Sequence, residues 1–193
     1  MLYRAFAAAT ALLVPTAVTP QTADYIAFNQ YPLIHQVSCR EGSGTAFRVG
    51  PRHFYSVAHV TALHQCKVDG KPIKVTEQDG LHDFSQFDVD LPARKHLGIN
   101  CTGFIPGHWY WSVGYAFAAP FQTSIALYAT AARDGNGRRV LLGQHTVIPG
   151  MSGGPIFDEM GRVVGLVNAY IPGSPISLSR ELRDTDACGS DIA

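Results

Sequence analysis

The sequence has little charge, and the charge that it has is balanced. Charged residues make up 16% of the 193 residues, and 15 lysines and arginines are matched by 15 aspartates and glutamates, so the formal net charge is zero. No run of basic residues breaks this balance. A protein that binds the phosphates of nucleic acid needs a basic face. The composition therefore excludes nucleic acid as an expected partner.

The chain also lacks the residue spacing of a metal site. None of its four cysteines forms a Cys-x-x-Cys pair, and His59 and His64 are five residues apart in a segment that reads as a strand end and a turn. Neither pattern is typical of zinc ligands, so we expect no metal ion. An even number of cysteines instead suits disulfides in an oxidising compartment, where three pairings are possible.

A long hydrophobic run is missing as well. The most apolar stretch follows Arg4 and ends at Val18, is interrupted by threonines and a proline, and is shorter than the about 20 residues of a membrane-spanning helix. One positive charge before an apolar stretch, with no acid before Asp24, is typical of a secretory signal. We therefore predict a signal segment over residues 1–22 and one domain over residues 23–193, secreted or periplasmic. An N-terminal strand or a retained membrane anchor is the alternative.

The most informative segment that is present is Gly150-Met151-Ser152-Gly153-Gly154-Pro155. Two glycines and a proline do not fit the interior of a helix or of a central strand, so we expect the Ser152 hydroxyl on a tight turn with bare backbone around it. A nucleophile needs such a position. A substrate carbonyl could approach closely there, and the amides of Gly150 and Ser152 could form an oxyanion hole. A simple Gly-Pro turn between strands is the alternative.

A histidine and two acids could serve this serine. His59 follows a short apolar strand over residues 54–57 and the small Ala58, so its side chain can face a cleft. Asp88 and Asp90 alternate with apolar residues as on a half-buried strand. Because burial of an unpaired carboxylate is costly, an acid on such a strand needs a partner.

The chain order of these residues, His59, then Asp88 or Asp90, then Ser152, resembles that of the chymotrypsin-type serine proteases. Three further segments carry the same resemblance. They are residues 42–47, similar to the strand pair beneath the histidine, residues 107–115, similar to a strand of the second barrel in bacterial members, and residues 161–168, similar to the hairpin that lines the substrate cleft.

The family pattern favours Asp88 as the acid. Relatives usually follow the catalytic aspartate with an aliphatic residue, an alanine and another aliphatic residue. Asp88 is followed by Val-Asp-Leu, which breaks the pattern only at Asp90, whereas Asp90 is followed by Leu-Pro-Ala. Asp88 is therefore the expected acid and Asp90 the alternative.

The resemblance implies an all-β fold of two six-stranded antiparallel β-barrels with the active site between them. It implies that His59 takes the proton of Ser152, that Asp88 orients the imidazole, and that the Gly150 and Ser152 amides bind the oxyanion. This chemistry requires no metal and no organic cofactor. We expect a monomeric endopeptidase that acts on peptides or proteins, or, as the alternative, a catalytically weak or inactive protease-like binding domain.

The resemblance also implies a cysteine pairing. In relatives a disulfide closes the loop around the histidine, and Cys39 and Cys66 flank His59 in this chain. A Cys39–Cys66 bond leaves Cys101 for Cys188.

The predicted substrate pocket carries no charge. Relatives that cut after Arg or Lys have an acid six residues before the serine, where this chain has Thr146, and the cleft strand carries Val167. An uncharged pocket gains little from a charged guest and must desolvate it, which favours a small or medium apolar side chain at the cleavage point. Met151 replaces the acid that pairs with a newly cut N-terminus in chymotrypsin, so activation by that route is not expected.

Overall fold

A computed structural model describes residues 31–105, 107–118, 122–133, 139–144, 147–170 and 176–189 of the chain. The predicted signal segment over residues 1–22 lies outside these ranges. Most of the regular structure in the described residues is β-strand, which confirms the all-β prediction. The strands are β1 Ile34–Ser38, β2 Ser43–Arg48, β3 His53–Ser56, β4 Lys67–Val68, β5 Lys71–Asp79, β6 Phe84–Val89, β7 Trp109–Gly114, β8 Gln122–Arg133, β9 Arg139–Gln144, β10 Pro155–Phe157, β11 Val163–Tyr170 and β12 Ile176–Glu181.

The first six strands form a closed antiparallel barrel in the order β1-β2-β3-β6-β5-β4. Alternation of apolar and polar residues determines which face of each strand points inward. In β6, Ser85, Phe87 and Val89 are buried, whereas Gln86 and Asp88 are partly exposed. The rings of Phe87 and of Phe54, its partner on β3, stack with 5.7 Å between their centroids. The barrel is therefore closed around an aromatic core.

The last six strands form a second antiparallel sheet in the order β10-β11-β12-β9-β8-β7, and β10 also pairs with β7. Trp111 of β7, Ile156 of β10 and Leu166 of β11 are among its fully buried side chains. The serine segment enters this sheet directly, because β10 begins at Pro155.

One short α-helix, α1, spans Ala58–Thr61 and follows β3 after the single extended residue Val57. It carries His59, which the sequence placed at the end of a strand. The helix presents His59, and the turn before β10 presents Ser152. Among the described helices none is long and apolar enough to cross a lipid bilayer.

Two disulfides confirm the predicted pairing of the cysteines. Cys39 is bonded to Cys66 across 27 residues, and Cys101 is bonded to Cys188 across 87 residues. The first bond joins the end of β1 to the segment that follows α1. The second bond joins the connection between the two sheets to the C-terminal 3-10 turn at Asp186–Cys188.

We predict that each disulfide stabilises the fold according to the length of the loop that it closes. Replacing Cys39 and Cys66 together by serine should lower the free energy of unfolding by about 3–4 kcal/mol, and replacing Cys101 and Cys188 together should lower it by about 4–5 kcal/mol. Urea unfolding of both double variants without reducing agent measures the two values. A free energy of unfolding that equals the wild-type value in either double variant would contradict the prediction.

Candidate active site

Ser152 lies on a tight turn immediately before β10. The turn is closed by the Met151 amide, which donates to the Ile148 carbonyl at 3.0 Å, and by the Gly154 amide, which donates to the Met151 carbonyl at 2.9 Å. Gly153 has φ +84°, and a Cβ at this position would lie 2.2 Å from the Thr45 carbonyl oxygen. Only glycine fits there, because the conformation is left-handed and the first barrel approaches so closely.

Thr45 of β2 anchors this turn to the first barrel. Its backbone amide donates to the Ser152 carbonyl at 2.8 Å. Its hydroxyl donates to the Gly150 carbonyl at 2.8 Å and accepts the Tyr115 amide at 2.9 Å. Thr45 is fully buried, so water does not compete for these bonds.

Two peptide planes of the turn are held so that their amides are available to a ligand. The Pro149 carbonyl accepts the Phe117 amide at 2.7 Å, and the Met151 carbonyl accepts the Gly154 amide at 2.9 Å. The N–H of a trans peptide points away from its carbonyl, so both bonds fix the directions of the Gly150 and Ser152 amides. Within the described residues, neither of these two amides donates to a protein acceptor.

His59 is hydrogen-bonded to Asp83, the residue that precedes β6. Asp83 Oδ2 lies 2.7 Å from His59 Nδ1, and Oδ1 accepts the His59 amide at 2.8 Å. The Asp83 carbonyl also accepts the Ala58 amide at 3.2 Å. The His59 side chain is 49% exposed and that of Asp83 is 20% exposed, so the imidazole faces solvent with the carboxylate behind it.

Asn168 of β11 joins this pair to the serine. Its side-chain Nδ2 donates to Asp83 Oδ2, and its backbone carbonyl accepts Ser152 Oγ at 3.3 Å. Hydrogen bonds therefore run from His59 through Asp83 and Asn168 to Ser152. Asn168 was not expected from the sequence to be a functional residue, although the segment that it ends, residues 161–168, carried the resemblance to a cleft hairpin.

The structure does not bring Asp88 or Asp90 to His59, and this corrects the sequence-based choice of acid. Asp88 Oδ1 lies 2.8 Å from Nδ1 of His53, its antiparallel partner on β3, and Asp90 Oδ1 lies 3.5 Å from Arg52 Nη2. β3 runs toward α1 and β6 runs away from it, so Asp88 lies roughly 16 Å along the strand from Asp83.

A local signal for Asp83 exists in the sequence. Asp83 is followed by Phe84 and Ser85, a large apolar residue and then a small one. In the family pattern the aspartate is followed by an aliphatic residue and an alanine. Here Phe84 takes the place of the aliphatic residue, and Ser85 takes the place of the alanine. The alternation of β6 drew attention to the acids within the strand, whereas the acid at its start faces the histidine.

Two partly buried apolar residues precede the turn. Val147 and Ile148 pack against a buried cluster that contains Met151 and Val167. Thr146, the predicted pocket position, lies outside the described residues. In the described ranges no group of three His, Cys, Asp or Glu side chains is arranged to hold a metal ion.

Three solved structures share this fold at low sequence identity. The active form of the protease Rv3671c from M. tuberculosis is 20% identical, with a TM-score of 0.74 over 97% of this chain and 93% of that chain. Deg5 is 14% identical, with a TM-score of 0.71 over 85% of this chain and 90% of that chain. The serine endoprotease from Yersinia pestis is 13% identical, with a TM-score of 0.71 over 84% of this chain and 63% of that chain.

A family comparison is more specific than these structural similarities. No curated protein sequence matches the chain significantly. The model of the trypsin-like peptidase domain matches residues 44–166, a range that extends from β2 beyond the serine turn and into β11. Because this match spans more than half of the sequence, the protein belongs to the trypsin-like peptidase family and is a serine endopeptidase.

Proposed function

We propose that the protein hydrolyses peptide bonds through a triad of His59, Asp83 and Ser152 and an acyl-enzyme intermediate. The line of hydrogen bonds from His59 through Asp83 and Asn168 to Ser152 is the observation that carries this proposal. It supports Asp83 rather than Asp88 in the role of the acid.

Attack on the substrate begins with a rotation of the Ser152 hydroxyl. In the free protein Oγ donates to the Asn168 carbonyl, and it turns toward His59 Nε2 when a peptide enters. Nε2 accepts the hydroxyl proton while Oγ bonds to the carbonyl carbon, and the carbonyl oxygen becomes an oxyanion. The amides of Gly150 and Ser152 bind that oxyanion.

The tetrahedral intermediate then collapses in the direction that releases the amine. The C–N bond breaks as His59 Nε2 donates its proton to the leaving nitrogen, which leaves an ester between Ser152 and the acyl group. A water molecule attacks this ester with His59 as the base again. The acid product then leaves, and Ser152 recovers its proton from His59.

Asp83 fixes which nitrogen of His59 acts as the base. Its Oδ2 accepts the Nδ1 proton, so the lone pair of the neutral imidazole is on Nε2. The second bond, from the His59 amide to Oδ1, fixes the carboxylate relative to the helix that carries the ring. Asn168 donates to the same carboxylate and prevents its rotation.

The wider proposal is a chymotrypsin-like double barrel, with the site between the first barrel and the second sheet, that acts as a monomer outside the cytoplasm. The two disulfides support such a compartment. The half-buried Val147 and Ile148 support a preference for an apolar side chain at the cleavage point.

Replacement of Ser152 by alanine is the primary test of the proposed function. Loss of the nucleophile should lower kcat by roughly 10⁴- to 10⁶-fold while the fold is kept. A fluorophosphonate probe should label the wild-type protein and not the variant. If the probe does not label the wild-type protein and the wild-type protein hydrolyses no peptide, the binding-domain alternative takes the place of the enzyme. If the variant keeps wild-type activity, Ser152 is not the nucleophile.

Replacement of aspartates by asparagine distinguishes the candidate acids. Asp83→Asn should lower kcat by about 10⁴-fold, because the amide favours the wrong imidazole tautomer. Asp88→Asn is the matched control, since Asp88 also bonds a histidine on the same barrel. Its kcat should stay within about twofold of wild type. If Asp88→Asn loses kcat severely and Asp83→Asn keeps it, the assignment of the acid is reversed.

Thr45→Val tests the anchor of the serine turn. The change conserves shape but leaves the Gly150 carbonyl and the Tyr115 amide without their partner, at a cost of about 1–3 kcal/mol for each group. We expect lower stability together with slower acylation. Thr185→Val is the control, because that buried hydroxyl bonds the Leu182 carbonyl near the C-terminus. Stability alone should fall in the control; equal losses of kcat in both variants would contradict the prediction.

A further inference from the structure

The loop before β6 holds Asp83 in a backbone conformation that aspartate adopts only occasionally. Residues 80–83 join β5 to β6, and Asp83 has φ +52°. A non-glycine residue in the left-handed region persists where the surrounding contacts determine it. The contacts that hold this loop therefore decide whether the Asp83 carboxylate meets His59.

Asp79, the last residue of β5, folds its carboxylate back over the loop. Oδ1 accepts the amides of Leu81 at 2.8 Å and of His82 at 3.1 Å, and Oδ2 lies 2.5 Å from His82 Nδ1. Burial acts to raise the pKa of the Asp79 carboxyl, but the hydrogen bonds from His82 and the loop amides outweigh it and hold the pKa below its usual value. Three donors from the loop thus converge on one charged group.

Apolar packing contributes little to the tip of this loop. Leu81, its one large apolar side chain, is 56% exposed. The neighbouring Gln78 donates from Nε2 to Thr61 Oγ1 at 2.9 Å, which joins the end of β5 to the helix that carries His59. Asp79 therefore lies between a fixed strand end and a loop whose shape depends on hydrogen bonds.

We propose that Asp79 is a positioning residue for catalysis, whose carboxylate clamps the β5–β6 loop in the conformation that presents Asp83 to His59. The inference rests on the proposed function, because it assumes that Asp83 serves His59 during turnover. Asp79 acts through Asp83 and does not contact the substrate. Without the clamp, the loop samples conformations in which Asp83 is turned away, so turnover falls and substrate binding is kept.

The same barrel offers a matched control at the other end of β5. Asp69 is the first residue of the two-residue turn between β4 and β5, has φ +48°, and places Oδ2 2.9 Å from Nδ1 of His35. It lies roughly 30 Å along the strand from Asp79. Asp69→Ala therefore removes a similar aspartate–histidine pair from the same barrel without touching the loop that carries Asp83.

The test compares Asp79→Ala, Asp79→Asn and Asp69→Ala by kcat and KM on one peptide substrate. We expect Asp79→Ala to lower kcat roughly 10- to 100-fold with little change in KM, because the base is misplaced. Asp79→Asn should recover most of the activity, since its amide oxygen still accepts the loop amides. Asp69→Ala should keep kcat within about twofold of wild type. In parallel, the NMR signal of the proton between His59 Nδ1 and Asp83 should be lost only in Asp79→Ala.

Several outcomes would overturn the inference. Wild-type kcat with an intact Nδ1 proton signal in Asp79→Ala would do so, and so would an equal loss of kcat in Asp69→Ala. If Asp79→Ala does not fold, Asp79→Ser replaces it, because a serine hydroxyl still accepts one loop amide but does not reach His82. We expect a lower kcat in that variant as well, and wild-type kcat would overturn the inference.

Failure of the proposed function would look different. In that case the wild-type protein hydrolyses no peptide or Ser152→Ala keeps the activity, whatever residue 79 is. The Nδ1 proton signal then decides alone whether Asp79 positions Asp83. Loss of the signal in Asp79→Ala, with retention in Asp69→Ala, supports the clamp, and retention in both overturns it.

Discussion

The contact between Thr45 and the serine turn is the constraint on which the rest of the site depends. The first barrel and the second sheet are separate hydrogen-bonded systems, so the position of Ser152 relative to His59 is decided by the bonds that cross between them. Thr45 supplies its amide to the Ser152 carbonyl and its hydroxyl to Gly150 and Tyr115. Because these bonds are buried, breaking any of them leaves polar backbone groups without water or partner.

A charged group, the Asp83 carboxylate, makes the second connection between the first barrel and the second sheet. Asp83 belongs to the first barrel, yet it accepts from Asn168 of the second sheet as well as from His59. A carboxylate accepts several charge-assisted bonds at once, which makes it suited to connect elements that share no strand pairing. Asp83 lies just before β6 and not within it, and it has the left-handed conformation at the end of the β5–β6 loop.

Sequence patterns predicted the strands well but not which carboxylate lies beside His59, for one physical reason. The alternation of apolar residues in β6 is a local property, and it correctly indicated a half-buried strand around Asp88. Which end of that strand faces His59 depends on its antiparallel pairing with β3, which the alternation does not encode. The pairing opposes Asp88 to His53 and leaves Asp83 at the end where α1 begins. Asn168 was missed because its role depends on a contact with a residue 85 positions away.

The sequence by itself determined the features that depend on local backbone chemistry. The glycines and proline around Ser152 permit only a tight turn. Resemblance to relatives was enough to imply an all-β fold and to pair Cys39 with Cys66. Only the tertiary structure decided which carboxylate meets His59 and which residues hold that carboxylate in place. These choices depend on strand register and on contacts between distant segments, because hydrogen bonds form between atoms that the fold brings together and not between neighbours in the chain.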